Sequence, residues 1–177
     1  MLGVAVNDRH RSMFMHDIAA QALRLIDPET AHRAAISGLK LGLGPRARAD
    51  RWLRLKTKIA GLDLPNPVGL AAGFDKNCEA PDAMLAAGFG FVECGTVTPR
   101  PQPGNPRPRI FRLGPDRAVI NRLGFNNEGI DAFADRLDAR AHRRGIVGVN
   151  VGANKDSEDR IGDYVTCMGR VWRHASY

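Results

Sequence analysis

Lys76 closes the run Asn66-Pro-Val-Gly-Leu-Ala-Ala-Gly-Phe-Asp-Lys76, and that run is the part of the chain best suited to chemistry. Ala71, Ala72 and Gly73 carry almost no side chain, so a flat ligand can lie directly against their backbone. An ammonium just past them can meet an anion or the electron-rich edge of a ring. Further candidates are Thr96, Asn121, the Gly124-Phe125-Asn126-Asn127 turn, Asn150 and Gly152. Almost all are amides, hydroxyls or bare backbone. Amides plus one cation suit a planar ligand with imide-like edges and a carboxylate, a description that a flavin ring and a small carboxylate substrate satisfy. Singly, each residue has a plainer use: asparagines satisfy turns, and a threonine can cap a loop. No Ser-His-Asp combination and no metal-ligand spacing presents itself.

The elements that must position these groups alternate between strand and helix from about Leu55 onward. The pattern predicts a short hairpin over Lys56–Leu64 turned at Gly61, and a buried strand from Val68 to Gly73. A helix over Cys78–Ala87 and a second buried strand over Phe89–Val97 follow. A proline-rich segment, Pro99–Asn127, holds two short strand candidates, Arg109–Leu113 and Ala118–Asn121. A helix (Glu128–His142), a third buried strand (Gly145–Val151) and a last helix (Asp159–His174) complete the pattern. Three strand-then-helix units in series argue for parallel strands with crossover helices. A (β/α)8 barrel and an open doubly wound sheet both fit. No glycine-rich dinucleotide fingerprint follows a strand, and polar candidates appear at every strand end, which favours the barrel. A barrel needs eight strands and about 250 residues, whereas this pattern supplies three strands.

Two helices precede this region. The first spans Ser12–Ile26, with Phe14, Ile18, Ala22 and Leu25 on one face, joined by Met15, Ala19, Leu23 and Ile26. Asp27 is a suitable N-cap for the second, Pro28 suits its first position, and Glu29 favours its N-terminal dipole. It runs to about Leu41 and stops at Gly42 or Gly44-Pro45. The pair, residues 1–45, is either a helical hairpin packed on the main unit, residues 46–177, or a pair that lies on a membrane surface or forms the mouth of a pocket for a lipid-like ligand.

Composition narrows the classes. The 177 residues are 44% hydrophobic and carry a net charge of +7, enough for a core and basic enough to favour anionic partners. Much of the excess lies in Arg46, Arg48, Arg51, Arg54, Lys56 and Lys58, opposed only by Asp50. That stretch reads as a solvated basic face or as attraction to an anionic lipid surface. With Trp52 its one aromatic and no nucleic-acid motif, it gives no reason to expect nucleic acid. No secretory signal and no apolar run long enough to span a bilayer is present. Cys78, Cys94 and Cys167 read as reduced thiols.

The motifs together closely resemble the class 2, quinone-dependent dihydroorotate dehydrogenases. The likeness rests on Leu25-Ile-Asp-Pro-Glu-Thr-Ala-His32, the Asn66–Lys76 run and Gly95-Thr-Val-Thr-Pro-Arg-Pro-Gln-Pro-Gly-Asn105. It continues through Pro108-Arg-Ile-Phe-Arg-Leu113, Val119-Ile-Asn-Arg-Leu-Gly-Phe-Asn-Asn127 and Gly148-Val-Asn-Val-Gly-Ala-Asn-Lys155. The resemblance implies a (β/α)8 TIM-barrel family, here its first three βα units behind an N-terminal helical hairpin. It implies oxidation of dihydroorotate to orotate in pyrimidine synthesis, with FMN as cofactor and a membrane quinone as acceptor. Ala72, Gly73, Phe74, Asp75, Lys76, Thr96 and Asn150 would contact FMN. Lys76 would also reach the orotate carboxylate, with Asn121, Arg122, Leu123, Gly124 and Phe125 holding the pyrimidine. His32 and Arg112 would lie near the quinone, and the helix pair would form the tunnel mouth of a peripheral protein on the cytoplasmic side of a bacterial-type inner membrane. The catalytic serine of the family is expected beyond Tyr177, and neither Ser157 nor Ser176 sits in its motif. The chain therefore matches about the N-terminal half of such an enzyme, and activity alone is in doubt. Two rival functions remain: a non-catalytic membrane-surface module, and another FMN barrel acting on pyrimidines in RNA.

Overall fold

Val92, Cys94 and Val97 are fully buried, while Phe91, Glu93 and Thr96 between them are half-buried, so strand β4 (Phe91–Val97) sorts its residues onto two faces. This computed structural model describes residues 17–47 and 53–177. β4 lies between β3 (Gly69–Leu70) and β7 (Ile146–Val151) in a parallel three-stranded sheet. The register sets Gly69 beside Phe91, Val92 beside Val147 and Gly95 beside Asn150. Each strand is followed by a helix: α2 (Pro81–Ala86), α3 (Ile130–Asp138) and α4 (Arg160–Val171). Phe133, Ala134 and Leu137 of α3 and Cys167 and Val171 of α4 close over Val92, Cys94, Val97 and Val147 as the core. All three cysteines are free and buried.

The strand-then-helix order agrees with the sequence reading, but several bounds are tighter for identifiable reasons. The first strand pairs only at Gly69 and Leu70, and Val68 is exposed rather than buried. β3 has one neighbour, and Gly73 at φ +108° turns the chain out of the sheet. A Cβ at Gly69 would meet the Phe91 ring at 2.2 Å, so a glycine there lets that ring lie across the strand. α2 starts at Pro81, whose fixed φ suits the first helical position. α3 cannot start before Gly129, which sits at φ +85°.

The sequence reading missed the last two residues. Ser176 donates its N–H to the Val147 carbonyl at 2.8 Å, and Val149 donates to the Tyr177 carbonyl at 3.0 Å. Val147 and Val149 alternate with Gly152, which donates to Val97 of β4, so Ser176 and Tyr177 lie along the other edge of β7. Tyr177 lays its ring on Gly148, where a Cβ would sit 2.3 Å away.

Outside the sheet, β1 (Thr57–Ile59) and β2 (Leu62–Leu64) form the expected hairpin, turned by Ala60 and Gly61, both at positive φ. β5 (Ile110–Leu113) and β6 (Ala118–Asn121) pair within the proline-rich segment. Residues 17–23 are helical, and the expected start of that helix at Ser12, with Phe14 and Met15, lies outside the described residues. So do Arg48, Asp50, Arg51 and Trp52 of the basic stretch. Helix α1 (Pro28–Lys40) begins as expected: the Asp27 side chain accepts from Thr30 N at 2.8 Å. It ends in a Schellman motif, with Leu43 N–H on Gly38 and Gly42 N–H on Leu39. Among the described residues no helix is long and apolar enough to cross a membrane.

Phe133 is 1% exposed at the centre of the core. Phe133→Ala is expected to cost about 3–5 kcal/mol, read as a lower urea midpoint; a loss under about 1 kcal/mol would place the core elsewhere.

Candidate functional site

Asp75 decides where its neighbours point. Its carboxylate is 1% exposed and accepts from Glu79 N at 2.8 Å and Ala80 N at 2.7 Å, while its own carbonyl accepts from Gly95 N at 2.9 Å. The sequence reading grouped Asp75 with the ligand-facing residues. In the structure its side chain closes the turn into α2, with Phe74 and Lys76 on either side of it. They line a cavity of about 320 Å³ together with Glu29, His32, Leu123 and Asn126. Gly73 belongs to the same wall, and a Cβ there would meet nothing within 4 Å.

Lys76 is half-buried and makes no hydrogen bond or ion pair with any described residue. Burial pushes its ammonium pKa down; Glu29 opposes that shift and Arg109 adds to it. His32 Nε2 lies 2.6 Å from the Phe74 carbonyl, which assigns the ring proton to Nε2, and the two rings meet edge to face. Burial holds the His32 pKa below its ordinary value, so the ring on this wall is neutral at pH 7. Asn126 adds an acceptor, Oδ1, that is buried without a hydrogen-bond partner among the described residues.

A second group stands at the ends of β4 and β7. Thr96 Oγ1 donates to Asn150 Oδ1 at 2.6 Å, so no described group takes the Asn150 amide hydrogens. A Cβ at Gly95 would strike the Asn150 carbonyl at 2.3 Å. Ala71 and Gly73 are exposed and Ala72 is half-buried, so the β3 end carries the open, small-residue surface its composition suggested.

The turn after β6 is pinned from outside. Asn105 holds the Arg122 and Leu123 carbonyls, and Gln102 Nε2 reaches those of Gly124 and Phe125. Gly124 and Phe125 both take positive φ. Leu123 reaches the cavity wall, while Asn121 and Phe125 are exposed. Arg122 donates to the Pro108 carbonyl and lies over Phe111. Sequence reasoning gave no role to Asn154, which is 2% exposed and bonds to Thr98, Arg100 and Gln102. Its signal was an asparagine three residues beyond a strand ending in small residues.

Helix α1 is brought to this wall by charge. Glu29 receives Arg109 through two contacts, at 2.5 and 3.0 Å, and Arg107 at 3.0 Å. Arg109 is the main cause of the lowered Glu29 pKa. Lys40 meets Glu79 at 2.9 Å. Arg112 does not point into the cavity. It donates to the carbonyls of Leu23, Arg24 and Ile26, closing the end of the preceding helical stretch. Among the described residues no cluster of three or more His, Cys, Asp or Glu could hold a metal ion.

The model of the family described as dihydroorotate dehydrogenase matches residues 54–177. Dihydroorotate dehydrogenase (quinone) of Mesorhizobium japonicum is 62% identical over 160 residues, which cover 90% of this chain and 45% of that protein. The mitochondrial dihydroorotate dehydrogenase (quinone) of Cyclocybe aegerita is 60% identical over 90% of this chain and 48% of its own length. The crystal structure of DHODH with ferulenol from Eimeria tenella superposes with a TM-score of 0.81 at 46% identity, over 85% of this chain and 42% of that one. The chain thus spans about half the length of the curated relatives it matches.

Two outcomes follow from the attachment of α1. Arg112→Ala should speed amide exchange over residues 17–30 about tenfold, with the β4 and β7 amides unchanged; equal exchange in both proteins would remove Arg112 as the clamp. Glu29 has a lowered folded-state pKa, so its stabilisation is complete above the ordinary value of 4.5 and vanishes as the pH falls through the lowered one. Melting temperature measured against pH should therefore show a smaller acid loss in Glu29→Gln than in the parent protein.

Proposed function

The chain belongs to the dihydroorotate dehydrogenase family, and from that premise we propose that it is the FMN- and substrate-lysine-bearing part of a quinone-dependent enzyme that oxidises dihydroorotate to orotate. The observation that carries the proposal is Lys76: a half-buried ammonium without an ion pair among the described residues, on a cavity wall beside bare backbone.

The residues fit a flavin. Ala71 to Gly73 offer a side-chain-poor surface, and a Cβ at Gly73 would stand in open space. Ala72 to Lys76 would lie along FMN, with the Asn150 amide hydrogens free to bond it and Thr96 orienting that amide. For Asp75 this means backbone only, because its carboxylate is committed to Glu79 and Ala80. When bound, FMN supplies the acceptor for the hydride leaving dihydroorotate. Lys76 forms a charge-assisted bond to the substrate carboxylate and places positive charge where negative charge collects. Asn121 and the turn from Arg122 to Phe125 hold the pyrimidine, and Phe74 and Leu123 keep water from one wall. The base belongs to the part of the relatives that this chain does not span. Ser176 is occupied, its Oγ accepting from Val147 N at 3.1 Å.

The fold supports the same reading as the start of a (β/α)8 barrel. One face of α4 exposes Ile161, Val165, Met168 and Trp172, next to the β7 edge that Ser176 and Tyr177 follow. We read this as the seam where later barrel units pack. Residues 1–45 form the quinone entrance and membrane contact, with His32 on its inner wall and exposed Leu25, Leu41 and Leu43 outward. Arg112 serves that entrance by holding the helix end. A peripheral position on the cytoplasmic face of the inner membrane follows from this role.

The test is FMN binding to the protein, followed by orotate titration and anaerobic addition of dihydroorotate. FMN should bind, and Lys76→Ala should weaken orotate about 10- to 100-fold. Flavin reduction should require a supplied second half-barrel. Failure to bind FMN, with retained binding to anionic vesicles, would overturn the reading in favour of a membrane-surface module.

A further inference from the structure

Glu29 and Lys76 come from separate elements, the first turn of α1 and the end of β3, yet both line one cavity. Glu29 cannot swing away. Arg109, 6% exposed, grips both of its oxygens, and a third nitrogen of the same guanidinium bonds the Pro103 and Asn105 carbonyls. Among the described residues Lys76 has no ion pair of its own. The other charged or titratable side chains around the cavity are His32 and Arg33 from α1, Asp75 and Glu79 from the segment of Lys76, and Glu128 ahead of α3. Of these, Asp75 bonds backbone N–H groups, Glu79 is taken by Lys40, Glu128 by Arg136, and His32 faces the Phe74 carbonyl. Glu29 is the lining carboxylate held in place by a buried guanidinium.

We propose that Glu29 is the counter-charge of Lys76 across this cavity, so that seating α1 there favours the positive charge of the substrate lysine. Glu29 is then a positioning residue with two duties. Its hydrogen bonds hold Arg109, and its charge acts through space on Lys76. Burial disfavours the charged amine, and a nearby carboxylate favours it. The opposing influences of Glu29 and Arg109 on Lys76 make the idea separable from a purely structural role. An entrance helix that left its seat would take the carboxylate with it, and the lysine would hold anions less well. The functional meaning rests on the reading of Lys76 as the substrate lysine; the electrostatic claim does not.

The experiment is an NMR titration of the Lys76 side chain in the full protein with isotopically labelled lysine, its signal assigned by its loss in Lys76→Arg. Glu29→Gln keeps an acceptor for Arg109 but removes the charge, and should move the Lys76 midpoint down. Arg109→Gln breaks the same contact from the other side and should move it up. Opposite shifts support the proposal. Shifts in the same direction mean that both variants merely loosen α1, and an unchanged midpoint in Glu29→Gln means that Glu29 is not the counter-charge; either result overturns the proposal. Glu29→Gln is nearly isosteric and suffices alone for the second outcome should Arg109→Gln not fold. The readout needs neither flavin nor substrate, so it can fail while the proposed function stands, or succeed while FMN binding fails.

Discussion

The buried carboxylate of Asp75 is the constraint on which the rest of the site depends. A charge at 1% exposure is tolerable only when its lone pairs are filled, and here two backbone N–H groups fill them. Those groups, on Glu79 and Ala80, would otherwise be orphaned ahead of α2, because Pro81 has no N–H and fixes the helix start behind them. One side chain thereby ties the end of β3 to the beginning of α2. With the Asp75 carbonyl also bonded to Gly95 of β4, the turn cannot rotate. Its neighbours on either side, Phe74 and Lys76, are thereby held on one cavity wall, with Phe74 also packed against the core.

That wall is only half built by the sheet. The other half arrives with α1, which buries Ala31 and Ile36 while leaving much of its surface to solvent. Beside that burial and the packing of Leu39 on the core, its attachment is polar: Glu29 to Arg109 and Arg107, Lys40 to Glu79, His32 to Phe74. The Glu29–Arg109 contact, nearly dry on both sides, is the costly member. Losing one partner of such a pair costs about 3–5 kcal/mol, because the other is left buried and uncompensated. The exposed pairs around it are worth far less. The core of β4, β7, α3 and α4 is apolar and independent of this contact. The fold therefore joins a hydrophobically stabilised sheet to a helix held both by a few apolar side chains and by charge, and the cavity lies along the join.

This division explains what could be read from the sequence. The Asp27-Pro28-Glu29 start of α1, the Gly61 hairpin and the alternating strand-helix order rest on local preferences, so they were legible. The Lys76 run was legible as an open, small-residue surface beyond a strand, where the structure has exposed Ala71 and Gly73 after β3. The roles of Asp75 and Arg112 were not. Both have the charge expected of a ligand-facing group, and the structure gives both to backbone: Asp75 to amides four and five residues on, Arg112 to carbonyls more than 80 residues back. Nothing in residue type distinguishes a carboxylate that meets a ligand from one that closes a turn. Asn154 shows the reverse case, a residue without an expected role whose four hydrogen bonds hold the loop above the sheet.

Val68 and Tyr177 show how sheet context overrides pattern. A hydrophobic residue opening a strand reads as buried, yet Val68 is exposed because β3 has a neighbour on one side only. Tyr177 carries no strand signal by itself, yet the alternation of β7 leaves Val147 and Val149 with backbone groups turned from β4, and residues 176 and 177 take them. Burial and pairing in a parallel sheet are decided by neighbours far along the chain. The same rule governs Lys76. Its residue type was visible in the run that ends with it, but the carboxylate and guanidinium that act on it come from two other elements, and Glu29 shares its cavity because α1 is seated there.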